Sequence, residues 1–254
     1  LFAFKQDHIF KDWDDVKANA NNRYDAIGEL YGPAAWEALK DKAGKQPIEP
    51  GDVCWADLNN DGVINNLDRV KVGNLFPTVT GGFSTTLGYK DFSLYARFDY
   101  ALGHTLYNDL AARSLGQYQG SFNIIDMVKD SWSETNQNTD IPKFYYADQL
   151  SKKNITRSNN GLTAVDNNSS RFYEKGDYLA LREITLTWNL PKKWINKALM
   201  SNASVYVTGQ NLFYITGYTG VSPEPAVDTT YGQGLDNGRY PTPKTVLLGL
   251  SVTF

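Results

Sequence analysis

One run of residues, 57–68, carries a spacing that dictates a chemistry. It reads Asp-Leu-Asn-Asn-Asp-Gly-Val-Ile-Asn-Asn-Leu-Asp. Oxygen-bearing side chains fall at loop positions 1, 3, 5, 9 and 12, as Asp57, Asn59, Asp61, Asn65 and Asp68. Gly62 stands at position 6, where a sharp turn needs a residue without a Cβ, and the carbonyl of Val63 falls at position 7. This is the spacing of an EF-hand-type calcium loop, with Asp in place of Glu at the last position. Ca²⁺ takes about six to eight hard oxygens; three carboxylates neutralise it while amides and a carbonyl complete the shell. Mg²⁺ fits less well, because it demands near-octahedral geometry and keeps its waters. No long amphipathic helix flanks the loop. The expected role of the ion is therefore to brace a loop, with Ile64 and Leu67 packing inward, rather than to drive a switch.

The other reactive side chains form no comparable pattern. His8 and His104 lie far apart in the chain, with no Ser or Cys at a spacing that would make a catalytic pair. Both are expected to be ordinary loop or surface histidines. Carboxylates are plentiful, yet no spacing singles out a general acid and base. The single cysteine, Cys54, excludes an intrachain disulfide and reads as an inert, partly buried thiol. Trp55, Tyr118, Tyr145, Tyr146, Tyr218 and Tyr231 fall in loops, where packing is the expected role. No enzyme is indicated, and no substrate-binding residue can be assigned.

The elements that must carry these loops are strands. Val246, Leu248, Leu250, Val252 and Phe254 are apolar; Thr245, Gly249, Ser251 and Thr253 between them are small or hydroxylated, with Leu247 the misfit. Period two over this length is a strand with one apolar and one polar face, about as long as a tilted strand needs to cross a bilayer, roughly 9–11 residues. The same alternation predicts strands over 82–89, 92–100, 179–190 and 203–213, and the tail of one over 1–9. Phe83, Leu87, Leu94, Phe98, Ile184, Leu186 and Trp188 should share the apolar face. Ser84, Thr86, Arg97, Asp99, Glu183 and Thr185 should share the other. Short helices are expected over 33–44 and 122–132.

About six strands result, and their connections alternate. Long segments (10–79, 104–177, 214–243) take turns with short ones (90–91, 191–202), as in barrels with short periplasmic turns and long extracellular loops. No apolar run approaches the roughly 20 residues of a membrane helix. The formal net charge of −3 favours no nucleic-acid partner. The fold expected is all-β: an antiparallel, up-and-down membrane β-barrel, or part of one. The alternative is a soluble, secreted, calcium-braced binding or adhesion module. With no initiator Met and a start that reads as mid-strand, the chain is expected to be a piece of something longer.

Several stretches resemble the C-terminal portion of SusC/RagA-like TonB-dependent outer-membrane transporters. They are GDVCWADLNNDGVINNLDRVKVGN (51–74), TGGFSTTLGYKDFSL (80–94), SRFYEKGDYLALREITLTWNLPK (170–192), VYVTGQNLFYITGYTGVSPEP (205–225) and YPTPKTVLLGLSVTF (240–254). Ser222 departs from the family's usual Asp before Pro-Glu, and Leu247 from its usual polar residue. The resemblance implies a plugged barrel of about 22 strands in the bacterial outer membrane, of which this chain supplies about the last six. It further implies import of oligosaccharides or peptides with a SusD-like surface lipoprotein. TonB would be reached through an N-terminal part that these residues do not include. The rest of the barrel, the plug and outer-membrane lipid complete the implied partners.

Overall fold

A computed structural model describes residues 1–19, 49–61, 66–112, 126–144, 170–224, 234–238 and 240–254. The helix expected over 33–44 lies outside them. The described chain is mainly strand, in chain order β1 (Phe2–Phe4), β2 (Gln6–Ile9), β3 (Val53–Trp55), β4 (Arg69–Lys71), β5 (Val79–Tyr89), β6 (Phe92–Leu102), β7 (Thr105–Asn108), β8 (Tyr173–Lys175), β9 (Tyr178–Asn189), β10 (Asn202–Thr216), β11 (Leu235–Asp236) and β12 (Thr245–Thr253). Three short helices join them: α1 (Trp13–Ala18), α2 (Asp109–Ala112) and α3 (Lys192–Ile195). Within the expected helix 122–132, the described part is a 3₁₀ turn over Asp126–Asp130. Two compact units result. Leu1–Gly73, Tyr107–Glu174 and Leu235–Asn237 form one; Asn74–Leu106, Lys175–Gly234 and Gly238–Phe254 form the other.

The second unit is built on a five-stranded sheet in the order β12-β10-β9-β6-β5, every neighbour antiparallel. The long strands follow one another in chain order, so the sheet is an up-and-down meander. A two-residue turn, with Lys90 in the left-handed region (φ 53°), joins β5 to β6. The short connection through α3 joins β9 to β10 at the same end. The long connections all leave from the opposite end. The register carries the sequence pattern across the whole sheet. Leu87, Leu94, Leu186, Val207 and Leu248 form one row, each opposite the next. Phe92, Trp188, Val205 and Leu250 form the adjoining row on the same face. Ser84, Arg97, Glu183, Gln210 and Thr245 line up on the other face. Stacked aromatic pairs lie on the apolar face, Phe92 on Trp188 at 6.0 Å at the turn end and Phe83 on Phe98 at 5.0 Å further along, with Val79 and Leu102 continuing the face beyond them. The apolar face is open rather than packed; Leu87 is 61% and Leu248 81% exposed.

The first unit has its own core. Phe4, Ile9, Val53, Trp55 and Trp132 pack together, and Phe10, Val16 and Cys54 form a neighbouring cluster. Tyr107, Ala112, Ile141 and Phe172 form a third. α1 starts where Asp12 caps it: its carboxylate accepts the amides of Asp14 and Asp15 at 3.0 and 2.9 Å. Asp14 and Asp15 in the first turn suit the positive end of the helix dipole, and Val16 is the residue it buries.

The segment 1–9 corrects the expected count. It adds no sixth strand to the large sheet, which holds five strands among the described residues. It breaks instead into β1 and β2, which pair with β4 and β3. At three and four residues, these strands are far too short to cross a bilayer. Phe4 and Ile9 are buried in the unit's core, so the apolar positions are spent on loop packing.

Candidate functional site

The acidic loop 57–68 is held by both legs on that misread segment. Its entry strand β3 pairs with β2, and its exit strand β4 pairs with β1. The Ala56 amide donates to the Lys5 carbonyl at 2.9 Å between the two ladders. The contiguous stretch 2–9 thus splints the root of the loop. Behind the root, Trp55 is buried with its ring 6.1 Å from that of Phe4, and the Arg69 guanidinium lies 5.2 Å over the Phe4 ring. Of the expected ligands, Asp57, Asn59, Asp61 and Asp68 are described; Val63 and Asn65 lie outside the described residues, as does Ile64.

Asp68 is completely buried, and its Oδ1 accepts the Leu58 amide at 2.8 Å, tying the end of the loop to its beginning. Asn59 and Asp61 face each other across a turn. The Asp61 amide donates to Asn59 Oδ1 at 3.1 Å, and Asn59 Nδ2 donates to Asp61 Oδ2 at 2.8 Å. Asn60 between them is left-handed (φ 56°), a conformation that Asn tolerates. The donor set is all oxygen, which suits a hard cation. Leu67, expected to pack inward, is 71% exposed instead; its neighbour Asp68 takes the inward position.

On the large sheet the polar face carries a charged cluster that alternation did not reveal. Strict period two puts Arg182 on the apolar face, next to Glu183. The structure places a bulge there. In both ladders of β9, Glu183 and Leu181 are paired and Arg182 is skipped, while β10 skips Asn211 and Leu212. A bulge re-aims the extra side chain, and Arg182 joins Asp99 on the polar side. Its Nε donates to Asp99 Oδ2 at 3.0 Å, its Nη1 to the Tyr214 hydroxyl at 3.2 Å, and its Nη2 to Glu224 Oε1. Tyr214 also donates to Glu224 Oε1 at 3.0 Å. Charge-assisted hydrogen bonds with an Arg side chain only 16% exposed clamp the segment around Pro223 onto the sheet. Ser222 accepts the Glu224 amide at 3.3 Å, doing locally what an Asp at that position would do.

The remaining candidates take structural places. His104, expected on a surface or loop, is 1% exposed; its Nε2–H donates to the Pro223 carbonyl at 3.0 Å. It therefore pins the same segment as Arg182. Both ring nitrogens of His8 face carboxylates, Asp7 at 2.8 Å and Asp15 at 3.2 Å. Cys54 is buried, and its thiol is pushed up to about 12, first by burial and then by the charges of Asp7 and Asp15. A thiol in that state is no nucleophile at neutral pH. Trp55 and Tyr218 are both buried, consistent with packing; Tyr118, Tyr145, Tyr146 and Tyr231 lie outside the described residues.

The chain is similar to several known proteins. The TonB-dependent receptor P3 of Formosa agariphila is 32% identical over 243 residues, covering 91% of this chain and 22% of that protein. The TonB-dependent receptor P26 of the same organism is 32% identical over 217 residues, covering 83% and 20%. The TonB-dependent receptor SusC of Bacteroides thetaiotaomicron is 26% identical over 243 residues, covering 95% and 21%. Among solved structures, the RagAB peptide transporter superposes with a TM-score of 0.61 at 24% identity, over 80% of this chain and 21% of that one. No family model matches. The chain spans about a fifth of the length of these relatives. A five-stranded meander with one open apolar face, matched along nearly its whole length to such receptors, belongs to the SusC/RagA-like family of TonB-dependent transporters as a fragment of the barrel.

Proposed function

We propose that this segment forms part of the wall of an outer-membrane importer, with the apolar face of the sheet against lipid and the Arg182 face toward the lumen. One observation carries this reading: a continuous apolar face, five strands wide and exposed, on strands of 9 to 15 residues. Exposed contiguous apolar area on this scale calls for a partner, and strands of this length match a bilayer. We infer that the whole protein imports oligosaccharides or peptides, working with a SusD-like surface lipoprotein and drawing energy through TonB, a reading supported by its likeness to SusC and to the RagAB peptide transporter. The clamped segment around Pro223 then lies at the lumen's outer mouth. Fractionation of cells producing the polypeptide that carries this segment tests the reading. It should stay with the outer membrane after urea washing and require detergent for release; release as a soluble protein would overturn it.

The acidic loop is assigned to Ca²⁺, held by Asp57, Asn59, Asp61 and Asp68 with the Val63 carbonyl and Asn65. The all-oxygen donor set at this spacing supports this, with Asp68 buried where it ties the end of the loop to its beginning. When bound, the ion neutralises the three carboxylates and makes the loop rigid; the chain's own contribution is the splint of 2–9 that fixes both legs. Calcium should raise the melting temperature of the wild type, and Asp61→Ala should abolish that increment. An equal increment in both proteins would contradict the assignment.

A further inference from the structure

We propose that Asp7, His8 and Cys54 form a second metal site, for a borderline divalent cation of the zinc class, with Asp15 holding the histidine ring from its far side. His8 and Cys54 are direct cross-strand partners in the β2–β3 ladder, so their side chains share one face. The register jumps between Gln6↔Trp55 and His8↔Cys54, leaving Asp7 as an extra residue. That bulge turns Asp7 toward a face it would otherwise point away from. One carboxylate oxygen, one imidazole nitrogen and one sulfur then lie within 4.8 Å of one another. Among the described residues this is the cluster of His, Cys and carboxylate groups that converges so closely.

The donor types select the ion. Mixed O, N and S ligands suit Zn²⁺ and its neighbours, whereas Ca²⁺ and Mg²⁺ take oxygen alone. Tetrahedral zinc, with bonds of about 2.0–2.3 Å, puts adjacent ligand atoms about 3.2–3.7 Å apart, so the wider gaps must close by no more than about 1.6 Å while the Asp7–His8 Nδ1 pair, at 2.8 Å, opens by about 0.4 Å. His8 Nδ1 faces Asp7, and Nε2 faces Asp15 Oδ1 at 3.2 Å. A metal-bound histidine commonly gives its other N–H to a carboxylate, and Asp15 occupies that place. It is itself fixed, accepting the Lys11 amide at 2.9 Å and Asn19 Nδ2 at 2.8 Å. A cavity of about 280 Å³, lined by Asp7, Asn19, Cys54, Trp55 and Asp57, leaves room for the ion and a water as fourth ligand. Phe10 and Val16 wall the sulfur from the other side.

Binding displaces the Cys54 thiol proton, because the thiolate is the form that ligates a metal. Asp57 of the calcium loop lines the same cavity, but the proposed donors Asp7, His8 and Cys54 are none of the calcium ligands, so either assignment can fail without the other.

Cobalt is the probe, added to the full polypeptide carrying this segment, in detergent, with a non-thiol reductant and saturating calcium. One equivalent should bind with a thiolate-to-cobalt charge-transfer band, which Zn²⁺ then bleaches. Zinc uptake in weakly buffered solution should release at least one proton per ion, that of the Cys54 thiol, a readout that needs no variant. Asp15→Asn should weaken binding by about 10- to 100-fold. Cys54→Ser should lose the band, and Asp61→Ala should leave it unchanged. Absence of the band, release of fewer than one proton, or unaltered affinity in both Cys54→Ser and His8→Gln would overturn the proposal.

Discussion

Leu247 and Leu248 are adjacent, chemically identical and on opposite faces of β12, which makes them a paired test of the membrane face. Leu248 ends the aliphatic row that runs from Leu87, and is 81% exposed; Leu247 lies beside Thr208 on the polar face, 47% exposed. A rise of about 3.3 Å per residue and a tilt of about 40° give about 2.5 Å of depth per residue. Leu94, in the row of Leu248, is two positions from Phe92 and four from Phe98. The row thus lies about 5 Å in depth from the Phe92 ring and about 10 Å from Phe98. Arg costs about 2–4 kcal/mol at the midplane and about 0–1 kcal/mol at the interface, so about 1–3 kcal/mol at this depth, or roughly 5- to 150-fold in the folding equilibrium. Leu248→Arg should therefore lose that much stability in urea titrations of the reconstituted polypeptide, and show less of the compact band on semi-native gels. Leu247→Arg, facing the polar side, should lose under about 1 kcal/mol. Equal losses, or a greater loss at Leu247, would refute the face assignment.

Other perturbations probe the clamp and the buried groups. Arg182→Met should release the Ser222–Glu224 segment to proteolysis and cost about 1–3 kcal/mol, with Glu224→Gln adding little on top in a double-mutant cycle. Gly176→Ala should destabilise by about 1–3 kcal/mol, because its Cβ would fall 2.2 Å from Nε2 of the buried His104; a neutral effect on thermal unfolding would show that the ring is free to move. Cys54 should resist alkylation near pH 8 in the metal-free folded protein and react at once in denaturant. Its folded-state thiol retains a proton that the unfolded one loses above 9.0, so stability should be unaffected below that pH and fall between about 9 and about 12.

Local signals were legible in the residues, and long-range ones were not. The alternation in 246–254 and 82–100 marks strands because one face meets a different medium from the other, and the register keeps those faces continuous. The calcium spacing is equally local, so the loop can be read without its surroundings. Phe2 and Phe4 alternate just as well as a barrel strand does, yet β1 and β2 are claimed by partners some fifty to seventy residues away (Gln6↔Trp55, Phe2↔Lys71). Arg182 is not readable from alternation, because a bulge shifts the parity of everything beyond it without leaving a mark in composition. Its partner Glu224 lies 42 residues on, in a segment with no periodicity to read. Asp7, His8 and Cys54 escaped for both reasons together: a bulge and a distant strand bring them to one point.

The central claim, that one face of this sheet meets lipid, is tested most directly by nitroxide scanning of β12. Single cysteines at 245–253, in a Cys54→Ala background, would be spin-labelled in the full polypeptide reconstituted in bilayers. Collision rates would be measured with oxygen and with a water-soluble nickel complex. Oxygen maxima at 246, 248, 250 and 252, with nickel maxima at 247, 249 and 251, are the expected result. Loss of that period-two contrast, or its inversion, would contradict the claim.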